Sequence, residues 1–127
     1  MKIEWKDGLL FTEIKVTFNG RSKIINNVVI DTGASHTLIS QDEVDELGIR
    51  VTRDDHFITS FGIGGEEHAF IKTIEAIEIE DYRIENIELD FAAFRYQGVN
   101  GLLGLDVLMA GKFNIDLNKL ELLRLQS

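Results

Sequence analysis

The chain has 127 residues, no cysteine and a formal net charge of -9 at pH 7, with a sequence pI of about 4.7. This length and an apolar content of 44% fit one folded domain over residues 1–127 and exclude a disordered chain. The acidic balance disfavours nucleic acid and membrane lipid as partners. Because no cysteine, export signal or run of roughly 20 apolar residues is present, we expect a cytoplasmic protein.

Alternating polar and apolar residues predict strands in the first part of the chain. Residues 14–18 alternate, and Asn19-Gly20 is the dipeptide favoured in a two-residue type I′ hairpin. The chain should then return antiparallel through 21–25. The three β-branched residues Val28 to Ile30 indicate a further strand that is buried on both faces.

A single carboxylate, Asp31, lies on a predicted turn between two apolar runs. Asp31-Thr32-Gly33 ends the buried strand, and a second short apolar run begins at Thr37. Apolar segments on both sides of an acid are unusual for a solvated loop. The pattern therefore indicates a carboxylate held at the floor of a functional site.

Two short helices are predicted. Ser40-Gln41-Asp42-Glu43 matches a capping box, which predicts a helix at about 41–47 that Gly48 ends. A glycine-punctuated apolar run from Gly98 should lead into a second helix that ends near Gly111, with Asp106 as its N-terminal cap.

The segment 56–73 predicts a hairpin with an unusual tip, Gly62-Ile63-Gly64-Gly65. Three glycines around one isoleucine lose much conformational entropy and add nothing to a core, which favours a tip that moves or lies over a ligand. A β-bulge or an ordinary loop explains the same glycines. Alternating segments at 77–80, 87–91 and 113–117, with a last strand at 120–125, complete a mostly β chain.

Three of these segments occur in an order that resembles the retropepsin-like aspartic proteases, the single-domain relatives of pepsin. They are Asp31-Thr32-Gly33-Ala34-Ser35, the tip Gly62 to Gly65, and Leu102-Leu103-Gly104. The resemblance implies a closed, barrel-like β fold with a flap hairpin, in which Leu102 to Gly104 crosses next to the Asp31 turn. It also implies a homodimer that binds an extended peptide.

The resemblance implies a role for each matching position. Asp31 is the expected catalytic acid, with Thr32 bonding across the dimer beneath it and Gly33 allowing close approach of the substrate. Substrate contacts are expected from residues beside the catalytic triplet and on the flap, namely Ala34, Ser35, Gly62, Ile63, Gly64 and Gly65. No metal and no cofactor are expected.

Chemistry gives a separate reason for a dimer. Hydrolysing a peptide without metal or covalent intermediate needs one carboxylate as base and one carboxylic acid to polarise the carbonyl. This chain contains one Asp-Thr-Gly, so the second acid has to come from a second copy. Two carboxylates placed close together share one proton and thereby provide both forms.

The chain departs from the retroviral pattern at two positions. Retroviral members often carry Asp where Ser35 stands and Arg where Leu105 stands, and this ion pair helps to hold their dimer together. Retroviral dimers also interleave their chain ends in one sheet. The C-terminal segment 113–125 can instead pair within its own subunit, which would leave a different interface.

Other functions remain as alternatives. The spacing of His36, His56 and His68 matches no common metal motif, and Ser35 next to His36 cannot form a triad because neighbouring side chains point apart. The chain could be a catalytically silent dimerisation or peptide-binding module with the same fold. It could also be an autoprocessed fragment of a longer precursor.

Overall fold

A computed structural model describes residues 2–62, 65–93 and 97–124, with the backbone alone at 60–62 and 65–67. The described residues form ten strands and two short helices. The strands are β1 (Glu4–Lys6), β2 (Leu9–Phe18), β3 (Arg21–Ile30), β4 (Leu38–Ser40), β5 (His56–Gly62), β6 (Gly65–Ile79), β7 (Tyr82–Ala92), β8 (Gly101–Leu103), β9 (Phe113–Asp116) and β10 (Glu121–Arg124). The helices are α1 (Gln41–Val44), which continues as a 3₁₀ turn (Asp45–Leu47), and α2 (Leu105–Ala110). The prediction of a mostly β chain with short helices is confirmed.

Eight strands form one sheet in the order β1-β2-β3-β8-β4-β7-β6-β5, and β2 also pairs with β6. The pairs β3–β8 and β4–β7 are parallel, whereas β4 and β8 are antiparallel. Strand β8 therefore lies between the strand before the Asp31 turn and the strand after it. This placement brings three distant segments of the chain together at one site.

The hairpin between β2 and β3 forms as predicted. Asn19 and Gly20 have φ angles of 52° and 76°, which are the left-handed values that a type I′ turn requires. The predicted return strand and the buried strand before Asp31 are one continuous strand, β3. Asn27 is accommodated within β3 at a φ of 57°, a conformation that Asn tolerates better than most residues.

The helix predicted at 41–47 is present, although its second half is a 3₁₀ turn. Gly48 ends it at a φ of 84°, as expected for a glycine cap. The predicted capping box was wrong, because Ser40 occupies the N-cap position but makes no side-chain capping bond. Ser40 is also the last residue of β4 and is buried, so its surroundings are set by the sheet.

The buried apolar side chains form two clusters, and β3 contributes to both. The first, which we call the main core, contains Val28 and Ile30, whereas Val29 belongs to the second. We call the second the site-side cluster, and its buried members are Phe11, Val29, Leu38, Ala69, Ala92, Val99 and Leu102. Since successive strand residues point to opposite faces, β3 is buried on both faces, as predicted.

The C-terminal strands pair within the chain. β9 and β10 form an antiparallel two-stranded sheet, and Lys2 bridges to Glu121. The C-terminal segment therefore pairs within its own subunit, through Phe113–Asp116 and Glu121–Arg124. Leu125 lies outside the described residues.

Within the part of the chain that the structure describes, no helix is both long and apolar enough to cross a membrane.

Candidate active site

Asp31 lies on the first turn after β3 and is held there by backbone bonds. Its N–H donates to the Leu103 carbonyl at 2.9 Å, and its own carbonyl accepts from the Ala34 N–H at 3.1 Å. The Gly33 N–H donates to Asp31 Oδ1 at 3.0 Å, and a Cβ at Gly33 would lie 3.3 Å from that oxygen. The turn therefore brings backbone close to the half-buried carboxylate. A glycine is the residue that suits this approach.

The segment β8–α2 supports the turn from one side. The Leu105 N–H donates to the Ala34 carbonyl at 2.8 Å, and the Asp106 N–H donates to the Ser35 carbonyl at 3.2 Å. At Gly104, a Cβ would lie 2.8 Å from the Ala34 oxygen and 2.8 Å from the His36 carbonyl carbon. Only glycine fits between these backbone atoms. The predicted crossing of Leu102 to Gly104 next to the Asp31 turn is thus present.

Asp106 joins the two sides of this arrangement. Both carboxylate oxygens accept from the Thr37 N–H at 3.0 Å, and Oδ1 also accepts from the Thr37 hydroxyl at 2.7 Å. The same hydroxyl accepts from the Gly104 N–H at 3.0 Å. Thr37 is fully buried, so these bonds satisfy polar groups that water does not reach. A carboxylate that accepts several such bonds positions the turn and has little capacity left for chemistry.

The prediction that Asp106 caps α2 was wrong. Gly104 is the N-cap, and Asp106 is the second residue of the helix. Its Oδ1 accepts from the Val107 N–H at 2.8 Å, but its other bonds reach Thr37, 69 positions earlier in the chain. Local sequence patterns carry no signal for a contact at that separation.

A second acid near the turn, Asp90 on β7, was not singled out from the sequence. It is only 5% exposed, and its N–H donates to the Thr37 carbonyl at 3.2 Å. Burial raises the pKa of the Asp90 carboxyl, an effect that His36 opposes and Asp106 and Glu88 reinforce. The sequence pattern around Asp90 alternates acids with apolar residues and predicts that these acids lie on an exposed face of the sheet. At Asp90 this prediction was wrong, because the residue is buried.

The predicted hairpin is formed by β5 and β6, which pair from His56 opposite Ile71 to Gly62 opposite Gly65. Its expected tip residues Ile63 and Gly64 lie outside the described residues, so their proposed contact with substrate stays a prediction. Farther down the hairpin, Ile58 and Ala69 pack with the site-side cluster. That cluster therefore connects the hairpin to the Asp31 turn.

The base of the hairpin is fixed by Asp55, just before β5. Asp55 Oδ2 accepts from the Thr52 N–H at 2.6 Å and lies 3.1 Å from Lys72 Nζ on β6. The hydrogen bond from the Thr52 backbone, with Lys72, lowers the pKa of Asp55 despite some desolvation. The carboxylate form of Asp55 therefore anchors the loop that leads into the hairpin.

The residues predicted around Asp31 are contiguous and lie mostly at the surface of the single chain. Thr32, Gly33 and Ser35 are exposed, whereas Ala34 is half-buried. Among the described residues, no group of three His, Cys, Asp or Glu side chains is placed to hold a metal ion. The described site is thus an open turn that presents one carboxylate.

The fold and the Asp-Thr-Gly turn are those of the retropepsin-like aspartic protease family. The model of the family described as "gag-polyprotein putative aspartyl protease" matches residues 14–110. The match covers both the Asp31 turn and α2, and the chain belongs to this family of retropepsin-like aspartic proteases. A search of curated proteins finds no match.

Solved structures show the same fold. A retropepsin-like aspartic protease from Rickettsia conorii superposes with a TM-score of 0.67 at 25% identity, covering 94% of this chain and 93% of that one. The EIAV protease complexed with the inhibitor HBY-793 has a TM-score of 0.57 at 19% identity, covering 82% and 88% of the two chains. The second likeness concerns the fold alone.

Proposed function

We propose that this protein is an aspartic endopeptidase that acts as a homodimer, with Asp31 of each subunit activating water for peptide-bond hydrolysis. The observation that carries the proposal is the Asp31 turn itself. Its carboxylate accepts from the Gly33 N–H, while the Leu103 carbonyl of β8 and the Leu105 N–H of α2 bond to the turn. Such support keeps a carboxylate in one orientation, as acid–base catalysis requires.

The exposure of the turn supports the dimer. One chain provides one Asp-Thr-Gly, and Thr32 and Gly33 are exposed beside Asp31. A two-fold axis at this surface would cover these residues and bring two Asp31 carboxylates together, so that they share one proton. Thr32 would then bond across the axis beneath them.

The rest of the fold fits the binding of an extended peptide. The pairing of β2 with β6, in addition to the main sheet order, supports a closed retropepsin-like barrel. The β5–β6 hairpin would close over the peptide through Gly62, Ile63, Gly64 and Gly65. Ala34 and Ser35 would contact the peptide from the Asp31 turn.

The direct test is Asp31→Asn. This nearly isosteric change removes the acid–base group, and we expect peptide hydrolysis to fall by about 10³-fold or more, with an unchanged melting temperature. Cleavage of a mixed peptide library, followed by mass spectrometry, measures the loss. Asp81→Asn, an exposed acid in the turn between β6 and β7, is the matched control and should keep wild-type activity. Near-wild-type cleavage by Asp31→Asn would place the chemistry elsewhere.

Dilution tests the dimer. Specific activity should fall as the chain is diluted below its dimer dissociation constant, and sedimentation in the active range should give twice the chain mass. Undiminished activity of a strict monomer would contradict the shared dyad. A wild-type protein that forms the dimer and binds peptides without cleaving any of them would instead support the silent peptide-binding module.

A further inference from the structure

Asp90 is a buried acid in a position where an apolar residue would be ordinary. It lies in β7 between Leu89 and Phe91, which both belong to the main core. Because side chains alternate along a strand, Asp90 points to the opposite face, together with Ala92 of the site-side cluster. The side chain is nevertheless only 5% exposed.

The strand register shows what surrounds Asp90. It lies directly opposite Leu38 on β4 and Ile71 on β6, and Leu38 in turn lies opposite Leu102 on β8. Residues opposite one another on paired strands share a face of the sheet. From β2 to β6 this row reads Phe11, Val29, Leu102, Leu38, Asp90 and Ile71. Within this stretch Asp90 is the only acid, and the row continues to Glu4 on β1 and His56 on β5.

The row leads to the Asp31 turn. Val29 belongs to the row, and Asp31 follows it by two residues, directly after the last residue of β3. The hairpin residues Ile58 and Ala69 pack onto this face as well. The row therefore runs from the catalytic turn to the base of the hairpin that would cover a bound peptide.

The Asp90 carboxylate has no ion-pair partner among the described residues, and His36 is the basic group that acts on it. No side-chain hydrogen bond among the described residues includes Asp90. The titratable groups that act on it are His36, which favours its charged form, and two acids, Asp106 and Glu88, which oppose that form. A carboxyl group in such surroundings gains most from a cation that arrives with a ligand.

We propose that Asp90 forms the floor of a substrate subsite beside Asp31 that takes a Lys or Arg side chain. The inference rests on the proposed function and names a specificity determinant for it. The aliphatic stem of Lys or Arg would pack against Leu38 and Ile71, and its charged end would reach the Asp90 carboxylate. An apolar substrate side chain of the same length would leave the buried acid without a partner.

The test compares pairs of peptides that differ only by Lys or norleucine at one position, scanned over the three positions on each side of the cleaved bond. For wild type, we expect kcat/KM to favour Lys by about 10- to 100-fold at one position. In Asp90→Asn this ratio should fall to about one, and in Asp90→Leu the norleucine peptide should become the better substrate. The matched control is Glu88→Gln, which removes an exposed charge two residues away and should keep the preference.

The outcomes separate this inference from the proposed function. Cleavage by wild type with no preference for Lys at any position would overturn the subsite and leave the peptidase in place. A preference that persists in Asp90→Asn would also overturn it. If wild type cleaves no peptide, both proposals fail together. Thermal melts complete the test, since an Asp90→Asn protein that loses its fold would show that Asp90 is structural and would overturn the subsite.

Discussion

The main core and the site-side cluster lie on opposite faces of the same strands but differ in what they contain. The main core is the larger cluster and contains Val28, Ile30 and Phe91. The site-side cluster is smaller, and Asp90 lies in its row between Leu38 and Ile71. One face therefore stabilises the fold through apolar burial, and the other also holds a buried carboxylate next to apolar side chains.

Two acids beside the Asp31 turn sharpen this comparison. Asp106 accepts from the Thr37 N–H, the Thr37 hydroxyl and the Val107 N–H, so the fold satisfies it internally. Asp90 is more buried than Asp106 and has no such side-chain bonds among the described residues. Removing the first should destabilise the protein, and removing the second should not.

The largest expected effect concerns the support of the turn. Gly104→Ala would place a Cβ within 2.9 Å of backbone atoms of Ala34 and His36, so the turn would have to move. We expect a loss of about 3 kcal/mol in the free energy of unfolding, at the upper end for overpacking, together with most of the activity. Urea unfolding and peptide cleavage measure the two losses.

Gly8→Ala is the control for Gly104→Ala. Its added methyl would meet no atom within 4 Å, but its φ of 78° is unfavourable for alanine. We expect a loss of about 1 kcal/mol, with activity retained. If the two changes had equal effects on stability and activity, steric crowding against the Asp31 turn would not be the reason for glycine at position 104.

Asp106→Ala should have the next largest effect. It leaves the buried Thr37 N–H and hydroxyl without their acceptor, which should lower the free energy of unfolding by about 2 kcal/mol. Asp106→Asn keeps one acceptor oxygen and should lose less. Chemical unfolding of the three proteins gives the order, and an Asn variant as unstable as the Ala variant would argue against the role of these bonds.

The sequence predicted the elements whose causes are local. Asn19-Gly20 predicted its turn because a type I′ turn needs two consecutive residues with positive φ, which Asn and Gly adopt readily. Gly48 predicted the end of the first helix because a helix commonly ends at a glycine with positive φ. The family resemblance predicted the crossing of β8 beside Asp31. The capping box failed because the buried end of β4 sets the surroundings of Ser40.

The contacts that the sequence did not predict join residues far apart in the chain. Asp106 bonds to Thr37 across 69 positions, and a helix-capping pattern cannot indicate such a partner. Asp90 stands in an alternating segment, Ile87 to Phe91, whose pattern indicates one exposed face. Asp90 is nevertheless buried, at the position where β4 pairs with β7 through Leu38, whereas Glu88 on the same strand is exposed. The sequence gives no signal for this pairing.

The smallest expected effect has the opposite sign and depends on pH. Burial raises the pKa of Asp90 above its ordinary value of 3.8, so between that value and the raised pKa the folded state binds more protons than the unfolded state. Wild-type stability should fall as pH rises through this window, whereas Asp90→Asn does not titrate there. The variant should match wild type below about pH 3.8 and be more stable than wild type at neutral pH. Thermal melts of both proteins from acid to neutral pH measure the difference in their stability. The titration of Asp55 does not affect this difference, because both proteins contain Asp55. An advantage of the variant that is confined to acid, or a variant less stable than wild type at neutral pH, would show that the Asp90 carboxylate stabilises the fold.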